Sequence, residues 1–449
     1  MNLFSFIKQR VPILQVVGDY ASLKKAGHYW KGCCPFHHER TASFTVSPEK
    51  EIFYCFGCHV GGDVISFIAK MERCSPIEAA RHLVERHGIQ LPADISWDKK
   101  NDHYELKKSY QQTCSLFARW CQSQLEKSPE AQAYLHKRQI TAESIQAFSL
   151  GYCSSNVKSL LTFAQKEGFL AQNFIDAHII KEGKLGLYIA FDERIIFPIT
   201  DHLGTIVGFG GRIFKEGDER AKYYNSHDHA YFNKGSILFG LDKAKKAIEK
   251  KSEAFLVEGY TDLIMMHQYG YINAVATLGT ACTPEHLKHL ARYAEKLFIM
   301  YDGDAAGQQA ILRLTELCWQ VSLEPYVLLL PPADDPASYL LAHSTLTDLI
   351  ANAQDIFTFA VVHASHLYES KTLQGKMAAT KKILELISTL PDPLTRELLL
   401  QRASESFSLP VETLRDTIRT MTKPSHAHEE VTETTPSVLA VSPLEKKQI

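Results

Sequence analysis

Phe255-Leu256-Val257-Glu258-Gly259-Tyr260 and, about forty residues later, Leu297-Phe298-Ile299-Met300-Tyr301-Asp302-Gly303-Asp304 share one pattern: a short apolar run that ends on a carboxylate and a glycine. Around them, apolar runs at Ala254–Val257, Ala274–Leu278, Leu297–Tyr301 and Tyr326–Leu330 alternate with helical stretches. That alternation predicts parallel strands flanked by helices. In open sheets of this kind ligands bind beyond the carboxyl ends of the strands. Glu258, Asp302 and Asp304 are therefore expected to converge there. Clustered carboxylates repel unless a cation neutralises them. Hard oxygen donors with open positions suit Mg²⁺ or Mn²⁺ carrying the phosphates of a nucleotide.

The preceding residues are basic. Arg212 to Lys251 holds ten Lys or Arg against six Asp or Glu, whereas Phe298 to Leu340 holds one against six. A basic segment beside an acidic one suits an enzyme that holds a polyanion next to a cation, although two opposed surface faces give the same count. Gly208-Phe209-Gly210-Gly211-Arg212 follows the strand-like Thr205-Ile206-Val207 and reads as a turn whose glycines let backbone approach a phosphate. Arg194, Arg212, Lys222 and Lys234 are the candidates to neutralise template or triphosphate charge. Pro198 tells against a central place for the strand-like Arg194–Ile199.

At the other end, Cys34-Pro35-Phe36-His37 and Cys55-Phe56-Gly57-Cys58 form two knuckles separated by 17 residues. Cys34, His37, Cys55 and Cys58 supply the four N/S donors of a closed tetrahedral zinc site, which is structural because no position is left for water. Cys33, His38 and His59 are adjacent alternatives. Phe44, Phe53, Tyr54 and Phe56, beside Lys24, Lys25, Lys31, Arg40 and Lys50, offer a stacking and phosphate surface for single-stranded nucleic acid, or simply pack the module.

The chain's 449 residues exceed one core. The remaining cysteines are scattered and read as free thiols. No apolar run approaches the ~20 residues of a membrane span, and no signal peptide opens the chain, so a cytoplasmic location is expected. Helices are expected over Ser75–His87, Tyr104–Leu125 and, broken by Pro391, Pro393 and Pro410, Ile356–Met421. Residues 93–102 read as a linker.

Taken together, the residues resemble the bacterial replicative primases of the DnaG type. Cys34 to Cys58, with the following His59-Val60-Gly61-Gly62-Asp63, is similar to that family's zinc module. Glu258-Gly259-Tyr260-Thr261-Asp262 and Asp302-Gly303-Asp304-Ala305-Ala306-Gly307 resemble its Toprim signatures. The resemblance implies a multidomain α/β protein: a zinc-ribbon-like β module (1–95), a mixed α+β basic subdomain (96–250), a Toprim domain with a parallel-strand core (251–345), a helical subdomain (346–424) and a disordered tail (425–449). It implies RNA primer synthesis from ribonucleoside triphosphates on single-stranded DNA, by a monomer. Glu258, Asp302 and Asp304 would hold Mg²⁺ or Mn²⁺, and Arg194, Arg212, Lys222 and Lys234 would bind nucleic acid or nucleotide. Two departures stand out. The family's Asp-Pro-Asp motif reads Asp335-Pro336-Ala337, which keeps Asp335 as a further cation ligand but replaces the second aspartate. The chain also ends in a polar tail, so the helicase-binding domain is expected to be missing and the contact with the replicative helicase doubtful. Competing readings are another Toprim enzyme, such as a type IA topoisomerase or a repair nuclease, and a zinc-dependent single-strand binder without activity. The zinc module and the basic motifs argue against the first; Ala337 prompts the second.

Overall fold

The computed structural model describes residues 3–421 apart from 38, 40, 73, 93–101, 185 and 322. The expected linker up to residue 101 and the polar tail lie outside the described residues, as do His38 and Arg40. The architecture is the expected multidomain α/β arrangement. An antiparallel five-stranded sheet (Lys24–Ala26, Tyr29–Gly32, Phe44–Ser47, Ile52–Cys55, Gly61–Gly62) opens the chain. The helices Val64–Met71 and Pro76–Arg86 pack onto it around Phe44, Phe53 and Phe67. The second helix starts where the sequence places it: Ser75 and Glu78 form a reciprocal capping box, satisfying two otherwise orphaned N–H groups.

The long helix Asp102–Leu125 leads into an antiparallel four-stranded sheet, ordered Tyr223–Asn225, Ile206–Ile213, Arg194–Thr200, Gly151–Cys153. Two expectations change here. Arg194–Thr200 is an inner strand despite Pro198, because Gly151–Cys153 pairs only with Arg194–Ile196. Pro198 lies past that pairing, so its missing N–H interrupts no ladder bond on that side. The glycines from Gly208 to Gly211 are not a phosphate-facing turn but lie within the buried strand Ile206–Ile213. A Cβ on Gly210 would come within 2.4 Å of the Tyr260 ring, so that glycine makes room for a neighbouring helix.

The parallel core is as expected. Strands Ala274–Ala276, Glu253–Val257, Lys296–Ile299 and Glu324–Val327 pair in that order, and Gln354–Asp355 adds an antiparallel edge. Side chains alternate between the faces with the period of two that strands impose. Phe255, Val257 and Phe298 face one core, shared with Phe197, Phe239 and Tyr260; Leu256, Leu297 and Ile299 face the other. The first core runs unbroken across residue 250, with Phe197 and Tyr260 stacked at 5.0 Å. The helices Ile356–Leu367, Leu373–Ser388, Pro393–Phe407 and Val411–Met421 enclose a core of their own around Phe357, Leu384, Leu400 and Leu414. Among the described residues, no helix is long and apolar enough to cross a membrane.

The zinc-ribbon-like module meets the rest of the chain through Leu203, packed on the module's core, and through polar groups. Glu72 accepts from the Tyr20 hydroxyl at 3.0 Å and lies 3.6 Å from Lys107 and 3.8 Å from His202. Asp201, in the turn between two core strands, accepts the N–H groups of Leu203 and Thr205 at 2.9 Å each. Burial, aided by Glu72, raises its pKa from 3.8 to about 6. A carboxylate with a raised folded-state pKa costs stability as pH rises through that window, because the unfolded chain releases the proton more readily. Asp201→Asn keeps the acceptor and removes the charge. Relative to wild type, its denaturation midpoint should be unchanged near pH 4 and should rise between pH 4 and 7, as read from urea unfolding across that range.

Candidate active site and metal centre

Cys34, His37, Cys55 and Cys58 come together with one donor atom each, all within 4.8 Å of one another. Cys34 and Cys58 sulfurs lie 3.8 Å apart and Cys55 Sγ lies 3.7 Å from His37 Nδ1. A tetrahedron with bonds of ~2.3 Å has edges near these lengths. Of the alternative ligands, Cys33 is exposed and outside the cluster, and His59 has its Nδ1 3.1 Å from the Tyr54 hydroxyl. The surrounding bonds tune the donors. Burial disfavours the Cys55 thiolate, but bonds from Ser43 and from the N–H groups of Cys58 and Gly57 outweigh it, leaving the pKa lowered. Glu39, which the sequence reading passed over, sits 3.3 Å from His37 Nε2 and accepts the Cys34 N–H at 2.7 Å. It can fix the tautomer that leaves Nδ1 free to ligate. Its place two residues after His37 was the available clue. Of the module's aromatics, Phe44 and Phe53 are core, whereas Tyr54 is 38% and Phe56 66% exposed, so only the latter two can stack on a ligand.

At the ends of the parallel strands, the register pairs Leu256 with Ile299, setting Glu258 beside the loop that carries Asp302 and Asp304. Burial raises the pKa of Glu258 to about 7, with Asp302 and Asp304 adding repulsion. Its Oε1 is buried with no hydrogen-bond partner. Asp302 is raised by burial and by Asp335 and Asp304, with Lys222 opposing. Asp304 caps the helix Ala305–Cys318, accepting the Gly307 N–H at 2.8 Å. Asp335 caps Pro336–His343 in the same way, through the Ser338 N–H at 2.6 Å. The two loops are locked together by the Gly303 N–H bonding Asp334 O at 3.0 Å; a Cβ on Gly303 would collide with Pro331 O at 2.0 Å. Ala337, where the resembled motif has an aspartate, is partly buried against the apolar core.

Sequence reading missed Asp262. It is 7% exposed on the first turn of the helix Tyr260–Gln268, and burial together with Asp335 and Asp302 raises its pKa to about 7. Its place in the first turn of the helix that follows the Glu258-Gly259 strand end was the signal. Among the described residues, only the Cys/His cluster brings three or more donors within 4.8 Å, so the acids stand further apart than the zinc ligands. Hard-oxygen donors and an unpartnered buried carboxylate oxygen fit a divalent cation that arrives with its own phosphate and water ligands.

The basic candidates divide. Arg212 reaches from the four-stranded sheet to Tyr223 Oη at 2.5 Å and Thr261 Oγ1 at 3.5 Å, beside the acids, and Lys222 acts on Asp302. Arg194 is buried and spends its guanidinium on the carbonyls of Gly211, Ala221 and Lys222 at 3.0–3.3 Å. That is a backbone clamp, not an open phosphate site. Lys234 leans on Asp228 at 4.0 Å.

Residues 2–99 match the CHC2 zinc finger, 120–245 the DNA primase catalytic core, N-terminal domain, and 255–340 the Toprim-like family. A DNA primase of Clostridium acetobutylicum is 33% identical over 425 residues, covering 93% of this chain and 70% of its own length. One from Deinococcus radiodurans is 37% identical over 385 residues, covering 84% and 65%. Among solved structures, the Aquifex aeolicus primase, comprising its zinc binding and RNA polymerase domains, superposes with a TM-score of 0.62 at 31% identity, covering 92% of this chain and 99% of that one. The chain belongs to the DnaG-type DNA primases. As a primase it is a DNA-directed RNA polymerase that makes RNA primers.

One expectation is overturned. Residues 357–412 match the DnaB-helicase binding domain of primase, so the expectation that this domain is missing is overturned, and with it the reason for doubting a helicase contact. The error came from judging the contact by the polar residues after Met421. The module lies earlier, in helices whose apolar spacing announces a core but not its partner.

The primase zinc site yields a test that does not depend on activity. Cys55→Ser should lose the metal and expose the first 90 residues to proteolysis, because structural zinc contributes folding energy. Glu39→Ala should keep the fold at saturating zinc but weaken metal affinity by about 10- to 100-fold. Chelator competition measures this, and unchanged affinity would remove Glu39 from the centre.

Proposed function

We propose that primer synthesis takes place at the acidic strand ends, with Glu258, Asp302 and Asp304 binding Mg²⁺ or Mn²⁺ and Asp335 as a further carboxylate beside them. The observation that carries this is Glu258: a half-buried carboxyl with a raised pKa and one buried oxygen without a partner. Such a group exchanges its proton for a cation at little further cost. When bound, the cation would polarise the primer 3′-hydroxyl and offset charge on the triphosphate. The chain's own residues fix the geometry. The caps at Asp304 and Asp335 each hold the carboxylate through Oδ1, fixing where the side chain stands. Arg212 and Lys222 bring positive charge from the four-stranded sheet, where template and primer phosphates would lie.

Cys34, His37, Cys55 and Cys58 hold one structural zinc in this reading, and the module offers Tyr54 and Phe56, with Lys24, Lys25, Lys31 and Lys50, to the single-stranded template. Residues 1–95 present the template, 96–250 carry the basic track, 251–345 the cation, and 346–424 the helicase contact. The reaction runs in the cytoplasm, where the template is.

Asp304→Asn is the informative variant, because asparagine keeps the helix cap while removing the charge. It should abolish primer synthesis from labelled ribonucleotides on a single-stranded template, with DNA binding and melting temperature close to wild type. Full activity in this variant would remove the acid site from the mechanism.

A further inference from the structure

Asp304 stands at one end of the helix Ala305–Cys318 and Trp319 at the other. The helix has 14 residues, or about 21 Å at the helical rise of ~1.5 Å per residue. Its first turn is pressed onto the acid loop: a Cβ on Gly307 would lie 2.1 Å from the Asp302 carbonyl oxygen. Its far end is pressed onto the helices that match the helicase-binding domain. Leu312 and Trp319 pack against both the second core of the parallel sheet and the core of those helices, and the Trp319 ring lies 6.3 Å from that of Phe357. The helix Ile356–Leu367 is divided in the same way, with Ile356 and Phe359 in the sheet core and Phe357, Ala360 and Ala364 in the helical one. One rigid rod thus joins the acid loop to the helical domain.

The joint at its far end is not filled. A cavity of about 300 Å³ separates Gln309, Leu312 and Glu316 from Ala360, Ala364 and Ile383. Interiors are otherwise close-packed, so a void on this seam is where the two surfaces can shift without distorting either core. We propose that the helix Ala305–Cys318 couples the helicase contact to the acid site, with Trp319 as the positioning residue, so that a helicase held by residues 357–412 raises cation affinity at Asp304. The coupling rests on both readings above, of the carboxylates as cation ligands and of the helical domain as the helicase contact. Trp319 touches neither ligand and acts through the helix. A partner that clamps the helical domain closes the joint and restrains the helix at its Trp319 end. A restrained helix holds the Asp304 carboxylate in place, and a donor already in place loses less freedom when the cation arrives. The effect is mutual by linkage: the cation tightens the helicase by the same factor.

The test measures Mn²⁺ binding to the full chain by electron paramagnetic resonance, with and without the replicative helicase, and helicase affinity with and without Mn²⁺. In wild type both should rise about fivefold. Trp319→Ala should bring both factors below twofold, with Mn²⁺ affinity and primer synthesis of the free chain close to wild type. Trp319→Phe, which keeps a ring against Phe357, should restore most of the gain; a merely structural role for Trp319 would not tie the two factors together in this way. Ala364→Leu, which fills the joint, should raise Mn²⁺ affinity in the free chain and leave less for the helicase to add. A fivefold gain that persists in both Trp319→Ala and Ala364→Leu would overturn the proposal, as would helicase and Mn²⁺ binding independently to wild type. Asp304→Asn separates the levels. If it loses Mn²⁺ while wild type shows no linkage, only the coupling fails; if it binds Mn²⁺ like wild type, the acid-site reading fails with it.

Discussion

Repulsion among carboxylates at the ends of two adjacent parallel strands is the constraint to which the rest of the structure answers. The strands ending at Val257 and Ile299 are held in register by backbone bonds, so Glu258 and the Asp302 loop cannot move apart without breaking the sheet. Burial makes their ionised forms costly, and the proton affinities of Glu258 and Asp262 rise together. The surroundings balance this with helix N-termini at Asp304 and Asp335 and with two cations, Arg212 on the Asp262 side and Lys222 on the Asp302 side. A helix N-terminus stabilises negative charge without presenting a competing cation, which leaves the acids able to accept a metal.

Much of this was legible in the chain itself. The strand-terminal acids and the two knuckles are local patterns in which spacing alone fixes geometry: x2 spacing folds back on one metal, and an apolar run ending in Glu-Gly ends a buried strand. What escaped was non-local. Nothing around Arg194 tells that its guanidinium will be spent on the carbonyls of Gly211, Ala221 and Lys222, since those lie on a neighbouring strand and the loop beyond it. The glycines before Arg212 look like a phosphate loop until Tyr260, fifty residues on in the chain, is seen pressing against Gly210. Pro198 misled for a similar reason: whether a proline interrupts a sheet depends on how far the neighbouring strand extends. The helicase-binding helices were visible as helices, but an amphipathic face reports that something covers it, not what.

The zinc module shows the opposite economy. Its core is aromatic and tight, whereas its seam with the catalytic part includes the polar cluster of Tyr20, Glu72, Lys107 and His202 and the ion pairs Arg81–Glu105 and Glu85–Lys108, with Leu203 packed against the module's core. Partly buried ion pairs contribute little net stability, because desolvation offsets much of their attraction.

The core that runs across residue 250 bears on how such enzymes can be dissected. Sequence signatures draw a line between the basic region and the metal-binding sheet, but Phe197 and Tyr260 lie stacked across it, and Phe239 packs edge-on against the same ring. A fragment cut at that line would leave both halves with a raw aromatic surface. Anyone grafting the acid site of this chain onto another polymerase would have to carry the four-stranded sheet with it, so the unit that evolution or an engineer can exchange is larger than the motif that identifies it.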